Sequence, residues 1–164
     1  MLVHDSLPNF PGANESVFLN LKSKRGQMSD TQIPEEVISG LTKIDTNTVE
    51  IPPAEIPQKI LEGSPTAGLK LLWESEDGTQ LAAVWSNTVG RWKIVWPWEE
   101  IMYLIEGQLE LTDPLGNSHM LNAGDFYHAR KGSKHIWNTI KPIKKLMIIM
   151  HDSPIADQAM EETW

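Results

Sequence analysis

Tryptophans dominate the part of this sequence in which the residues suited to chemistry lie. Seven Trp stand against three Phe and two Tyr, and six of the seven fall between Trp73 and Trp137. Indole rings stack well on planar or sugar-like ligands, and each carries one N–H donor. The same segment contains Glu100 and His135, a carboxylate and an imidazole of the kind used in general acid/base catalysis. The residue types therefore leave two interpretations open, a ligand pocket lined by Trp or a Trp-rich core.

The composition excludes several classes of function. The chain has 164 residues, with 14 Lys and Arg against 22 Asp and Glu and a formal net charge of −8. Binding to nucleic acid or to an anionic membrane surface needs clustered cationic side chains, so we expect neither partner. The absence of Cys excludes disulfides and thiolate chemistry. No apolar run reaches the roughly 18 residues of a transmembrane helix, and the first residues lack signal-peptide features, so a cytoplasmic protein is expected.

Short strands between turn signals are the elements that would position these residues. Beyond about residue 68, apolar runs recur at intervals of roughly 8–12 residues without an intervening helical period, which is typical of an all-β sandwich or barrel. Glu106-Gly107 predicts a bend or bulge within one long strand, and Lys141-Pro142 predicts a break between two strands. The predicted strands are 69–73, 81–85, 91–96, 102–105, 108–112, 119–121, 126–129, 135–140 and 145–150.

The regions that flank these strands have a different character. Residues 1–48 are rich in loop and turn residues and are predicted to form an irregular N-terminal arm. Within the arm, Pro34–Gly40 favours a short helix, because Pro stands near its first position, acids in its first turn and Gly at its end. Residues 49–152 are predicted to be the β domain, and residues 153–164 a C-terminal tail that is a frayed helix or disordered.

Several spaced motifs resemble those of the cupins, small barrels whose mouth holds a ligand or a metal. Glu100 and Gly107 keep the E-x6-G spacing of the first cupin motif. Gly124, Gly132 and His135 keep the spacing of the second motif, in which Arg130 replaces the usual Pro. Residues 50–150 are similar, more narrowly, to the (S)-ureidoglycine aminohydrolase-type cupin domain family. The matching segments are Ile60–Pro65, Val84-Trp85, Gly90-Arg91-Trp92, Glu100, Tyr103–Gly107, Trp137 and Lys144-Lys145.

This resemblance implies an all-β, RmlC-like jelly roll, or double-stranded β-helix, with an irregular N-terminal arm. It also implies amidohydrolase-like chemistry on a ureido or amino compound, and a homodimer, because small cupins commonly pair edge strands.

A typical cupin binds a divalent metal through two His of an H-x-H pair, the Glu and the second-motif His. In this chain only Glu100 and His135 remain of that set, and two donors rarely hold a metal. No cofactor is therefore predicted, and a divalent metal bound through substitute ligands stays open as an alternative. The positions of the H-x-H pair hold Ile94 and Trp96, or Lys93 and Val95 for the longer gap.

Strand alternation places the candidate groups in one cavity if Glu100 faces the barrel interior. Met102 and Leu104 then share its face, and the predicted cavity is apolar and aromatic with Glu100 and His135 as its few polar groups. Such a cavity has the general profile of a small-molecule pocket. Groups buried there can have pKa values moved toward neutrality, which permits acid/base catalysis without a metal. The other sets predicted to share a face are Trp92, Ile94 and Trp96, and His135, Trp137 and Thr139.

We predict a protein that binds a small polar metabolite in the barrel, with Glu100 and His135 as catalytic groups of a metal-independent, hydrolase- or isomerase-like enzyme. A structural Glu100–His135 couple is equally compatible with the sequence. The alternative functions are a non-catalytic binding or sensor module, and a metal-dependent amidohydrolase, oxygenase or lyase with substitute ligands. The predicted substrate-binding residues are Trp92, Trp96, Trp98, Met102, Tyr127 and Trp137.

Overall fold

Two long antiparallel strands organise the molecule, which we describe from a computed structural model covering residues 37–38, 41–56 and 59–158. Apart from one 3-10 turn, the regular elements in these ranges are strands, and no helix in them is long and apolar enough to cross a membrane. The elements are β1 Val37–Ile38, β2 Leu41–Thr42, β3 Pro53–Ala54, β4 Ile60–Glu62, β5 Ala67–Glu74, β6 Gln80–Asn87, β7 Gly90–Val95, β8 Glu99–Thr112, β9 Ser118–Asn122, β10 Phe126–Ala129, β11 Lys134–Met150 and the 3-10 turn Ile155–Asp157.

The sheet curls because the two halves of β11 have different neighbours. Residues 134–139 of β11 pair with β7, residues 143–150 pair with β6, and both halves pair with β8 on the other side. The hydrogen-bonded order is β10-β8-β11-β6-β5-β3, with β9 added to β8 and β4 added to β7. Every pairing is antiparallel. This arrangement confirms the predicted all-β jelly roll.

A bulge lies where β8 and β11 bend together. Gly107 has φ +89°, which favours glycine, and a Cβ at this position would overlap the carbonyl of Pro142. The register of β11 against β8 shifts between Thr139 and Lys145. The predicted bend at Glu106-Gly107 is thus confirmed, but the break predicted at Lys141-Pro142 is wrong. A bulge absorbs the Pro, which cannot donate a hydrogen bond to its neighbour, and β11 continues through it.

The ends of the described chain differ from the sequence predictions. Most of the predicted arm lies outside the described residues, but Val37–Ile38 is a strand paired with β2, so the short helix predicted within Pro34–Gly40 is wrong at these two positions. Their β-branched side chains favour extended backbone. In the tail, Ile155 is 1% exposed and its N–H donates to the Gly78 carbonyl at 2.8 Å, so residues 154–158 are docked on the β5–β6 turn. Residues 159–164 lie outside the described ranges.

The core occupies the concave side of the curled sheet. On β8, Glu100, Met102 and Leu104 are buried, whereas Tyr103 between them is 44% exposed, as strand alternation requires. The inward positions of β7 and of β11 follow the same rule. Large aromatic side chains fill much of this space, and they surround the few polar groups described next.

Candidate functional site

An ion pair lies inside the barrel between Glu100 on β8 and Lys145 on β11. The Lys145 ammonium donates a hydrogen bond to Oε1 of Glu100, and both side chains are 5% exposed. Trp98 Nε1 donates to the other carboxylate oxygen, Oε2, at 3.1 Å. Lys145 is in register with Leu104, on the inward face of β8 that also carries Glu100, so its long side chain reaches along this face to the carboxylate. Both oxygens of Glu100 therefore have partners.

The ammonium of Lys145 has two further neighbours. It lies 4.9 Å from the ring centroid of Trp137, within the range of a cation–π interaction, and 3.9 Å from Sδ of Met102. These soft, apolar groups exclude water from the ammonium. Among the described residues, Glu100 and Lys145 are the charged side chains that are buried, so each balances the charge of the other.

Trp137 also belongs to a neutral hydrogen-bonded network. Its Nε1 donates to Oγ1 of Thr139 at 2.9 Å, and the same oxygen accepts a hydrogen bond from Nδ2 of Asn87 at 2.7 Å. Asn87 in turn accepts from Nε1 of Trp85 at 2.9 Å and donates to the carbonyl of Thr88 at 2.9 Å. The network holds the Trp137 ring in place beside the ion pair.

Aromatic contacts lead from Lys145 toward His135 along a group of rings that we call the indole column, consisting of Trp92, Trp96 and Trp137. The rings of Trp92 and Trp137, which are opposite each other in the β7–β11 register, stack at 5.5 Å with an interplanar angle of 19°. Trp96 lies 6.4 Å from Trp137. The imidazole of His135 meets Trp96 edge-on, at 5.3 Å and 80°. The column thus has the ion pair at one end and an imidazole at the other.

Two buried polar atoms at the His135 end have no hydrogen-bond partner among the described residues. They are Nε1 of Trp96 and Nδ1 of His135. An unsatisfied buried group costs about 1–3 kcal/mol relative to a satisfied one, so native proteins contain few of them. Burial lowers the pKa of His135 below its ordinary 6.5, although the nearby Asp113 carboxylate opposes this shift. The lowered pKa favours the neutral imidazole.

The backbone explains why these rings stay in place. The N–H of Trp96 donates to the carbonyl of Ser133 at 3.1 Å, and its carbonyl accepts from the N–H of Gly132 at 2.7 Å. Gly132 and Ser133 belong to the turn that starts at Arg130, which is itself closed by a hydrogen bond from Ser133 N–H to the Arg130 carbonyl at 3.0 Å. Since β11 begins immediately after this turn, one segment fixes both Trp96 and His135.

The structure brings most of the sequence-predicted residues to the barrel interior. Trp92, Trp98, Met102 and Trp137 are buried there, and Trp96 is 1% exposed. Tyr127 on β10 is half-buried against the core, and burial raises the pKa of its hydroxyl above 10.0. Their roles in binding stay predictions.

Glu100 and His135, which are predicted to act as a pair, have different partners in the structure. No hydrogen bond joins the two in the described part of the chain, where Glu100 is bonded to Lys145 and Trp98. His135 instead contacts Trp96 at the far end of the indole column. The catalytic role of each residue stays a prediction, but they do not form a directly bonded couple.

Lys145 was absent from the predicted site, although the sequence carries a signal for it. Ile143, Lys145, Met147 and Ile149 alternate along β11, and all four are buried. A Lys at the second position of an otherwise apolar inward face indicates a buried charge with a partner. The break predicted at Lys141-Pro142 separates these four residues from the part of β11 that carries Trp137. The sequence pattern therefore does not assign Lys145 to the same inward face as Trp137.

The residues of this interior do not fit the metal of a typical cupin. Glu100 uses both oxygens on protein donors, and Ile94 and Trp96 occupy positions of the H-x-H pair. Within the described ranges, no three His, Cys, Asp or Glu side chains are grouped so that they could hold a metal ion. The positive charge beside the cupin glutamate is supplied by Lys145.

Fold and site together define a cupin-type jelly roll whose barrel contains a protein ammonium. Residues 74–146 match the model of the EutQ-like cupin domain family. No curated protein matches the chain.

Solved structures support the same fold. The EutQ protein of Clostridium difficile is 21% identical with a TM-score of 0.57, over 74% of this chain and 93% of that one. A protein of unknown function from Pseudomonas syringae pv. tomato is 23% identical with a TM-score of 0.60, over 68% of this chain and 51% of that one. The polyketide cyclase RemF of Streptomyces resistomycificus is 15% identical with a TM-score of 0.55, over 76% and 86%. At these identities the likeness concerns the fold alone.

Proposed function

We propose that this chain binds a small polar metabolite in the cupin barrel and transforms it by acid/base chemistry without a metal. The observation that carries the proposal is the buried pair of Glu100 and Lys145. Such a pair is weak evidence for a stabilising role, because taking each ion out of water costs several kcal/mol. Replacing a buried ion pair by apolar residues is often neutral or stabilising. Its position at the centre of a barrel, where cupins hold ligands, favours a functional role.

The chemistry of the pair suits proton transfer. A carboxylate accepts a proton from a substrate, and an ammonium donates one or stabilises negative charge that develops on the substrate. The N–H of Trp98 fixes the orientation of the carboxylate, while Trp137 and Met102 keep water from the ammonium. In the proposed complex the ligand replaces the direct contact between Glu100 and Lys145. His135, at the other end of the indole column, serves as a second acid/base group in its neutral form.

The test starts from a panel of small metabolites screened by thermal shift on protein purified without added metal. Ureido and amino compounds come first, because the sequence resembles the (S)-ureidoglycine aminohydrolase-type cupins. Each ligand is then incubated with the protein, and conversion is followed by mass spectrometry. We expect conversion to survive chelator treatment and to fall by about 10²–10⁴-fold in Glu100→Gln, with ligand affinity little changed. Conversion at the wild-type rate in Glu100→Gln would overturn the proposal.

A non-catalytic binding module is the second candidate, and one observation favours it. Both oxygens of Glu100 are already bonded to protein donors, as expected for a structural pair. Under this hypothesis ligands bind but no panel member is converted, and Glu100→Gln lowers the free energy of unfolding. For either candidate we propose a cytoplasmic location, and we propose a homodimer because small cupins commonly pair edge strands.

A further inference from the structure

The two unpartnered polar atoms at the His135 end of the indole column set this end apart from the rest of the interior. Three other indole N–H groups there, those of Trp85, Trp98 and Trp137, each donate to a side-chain oxygen of the protein. Nε1 of Trp96 is also buried and has no acceptor within residues 37–38, 41–56 and 59–158, and the neighbouring Nδ1 of His135 has no partner in these ranges either. Buried polar atoms normally have a protein, water or ligand partner.

Trp96 is held by its backbone and by its neighbouring rings. The backbone of Trp96 is bonded on both sides to the turn of residues 130–133, and its ring lies against His135 and Trp137. The two unpartnered atoms therefore belong to adjacent rings held by one turn. No described residue supplies the missing partners, so both atoms are available to a bound molecule.

The chemistry of the two atoms restricts what that group can be. An indole N–H only donates, so the group must offer an acceptor. A neutral imidazole nitrogen without a proton accepts, so the same group can also donate to it. A hydroxyl does both.

The charge balance of the barrel interior also restricts the net charge of the ligand. Glu100 and Lys145, the buried charged side chains of the described ranges, neutralise each other. A ligand that carried a net charge into this interior would have no opposite charge left to balance it, and burying such a charge is strongly unfavourable. The indole faces at the same place favour a ligand with a planar or apolar body.

We propose that Trp96 and His135 form the recognition subsite of the barrel for an uncharged, hydroxyl-bearing ligand. The ligand hydroxyl accepts a hydrogen bond from Nε1 of Trp96 and donates a hydrogen bond to Nδ1 of His135. This inference rests on the proposed function, because it names the class of ligand that the barrel binds.

The test uses benzyl alcohol, benzoate and toluene, which share an aromatic ring and differ in bearing a hydroxyl, a charged carboxylate or no polar group. Binding is followed on the indole N–H signals of the ¹⁵N-labelled protein by nuclear magnetic resonance. We expect benzyl alcohol to shift the Trp96 indole signal and to bind at least about tenfold more tightly than benzoate or toluene. Trp96→Phe should weaken benzyl alcohol binding by about tenfold, which corresponds to the loss of roughly one hydrogen bond. Trp73→Phe, on an exposed side chain of β5, is the matched control and should leave binding unchanged.

The outcomes separate this inference from the proposed function. Equal binding of the three probes, no binding of benzyl alcohol, or an unchanged affinity in Trp96→Phe would each overturn the subsite. If Trp96→Phe fails to fold, His135→Phe keeps the ring and removes Nδ1, and the shift of the Trp96 signal in the unmodified protein needs no variant. Glu100→Gln should lower conversion of any substrate by about 10²–10⁴-fold while the Trp96 shift persists, so that loss of turnover and loss of the subsite are recorded independently.

Discussion

The two ends of the indole column differ in how their polar groups are satisfied. At the Lys145 end, the carboxylate of Glu100, the ammonium and the Trp137 N–H all have protein partners. At the other end, Nε1 of Trp96 and Nδ1 of His135 have none. These two atoms are themselves buried, although the His135 side chain as a whole is only partly buried. The comparison indicates that the protein satisfies its buried charges internally and leaves weaker, neutral hydrogen-bonding groups for a ligand.

This division has an energetic reason. An unpaired ion inside a barrel would be far more costly than an unpaired N–H, because the solvation free energy of an ion is much larger. A protein that spends part of its time without ligand can therefore leave neutral groups open more easily than charged ones.

The largest effect is expected when the ion pair loses one member. Lys145→Met should lower the free energy of unfolding by about 3–5 kcal/mol, because the carboxylate of Glu100 is left buried without a counter-charge. The double variant Glu100→Gln/Lys145→Met should recover most of this loss, since it removes both charges and keeps an acceptor for Trp98. Urea unfolding of the wild type and of the single and double variants gives the coupling energy.

Lys144→Met is the matched control for this cycle. Lys144 pairs with Glu106 at 3.5 Å on the outside of the barrel, where Glu106 is 61% exposed. Exposed ion pairs contribute about 0–1 kcal/mol. If Lys145→Met were no more destabilising than Lys144→Met, the contrast between the buried ion pair and the partly exposed one would be wrong.

An intermediate loss of stability is expected when the neutral hydrogen-bonded network around Trp137 loses the hydroxyl of Thr139. Thr139→Val preserves the shape of the side chain but leaves the N–H of Trp137 and one N–H of Asn87 without an acceptor. The free energy of unfolding should fall by about 1–3 kcal/mol. Thr139→Ser retains the hydroxyl and should lose less. Chemical denaturation of both variants checks this expectation, and equal losses in Val and Ser would indicate that the methyl group, not the hydroxyl, matters.

The smallest effect is expected at the open end. His135→Phe removes an unsatisfied atom and keeps a ring against Trp96, so the free energy of unfolding at pH 8 should change by less than about 1 kcal/mol. Because the pKa of His135 in the folded protein is lowered from 6.5, the unfolded chain takes up its proton at a higher pH than the folded protein does. The wild type should thus lose stability as the pH falls below about 6.5, and His135→Phe should lose less. Parallel pH profiles for the two proteins would contradict the lowered pKa.

Sequence periodicity was sufficient for the inward face of β8 and of β7. The two-residue alternation places Glu100, Met102 and the indoles in the interior, and the structure agrees. It was insufficient for Lys145, because Pro142 was interpreted as a strand break when it belongs to a bulge. The unsatisfied state of Trp96 and His135 could not be predicted at all. It depends on which acceptors come within hydrogen-bonding distance in space, and no spacing along the chain encodes that.

The bulge opposite Gly107 decides which of two adjacent lysines enters the barrel. Lys144 and Lys145 point to opposite sides of β11, the first toward Glu106 outside and the second toward Glu100 inside. In a strand the side of every residue is set by its odd or even position, so removal of one residue at the bulge would exchange the two sides for all that follows. Such a deletion would turn Lys145, Met147 and Ile149 toward solvent and would bring Lys144, Leu146 and Ile148 into the barrel in their place.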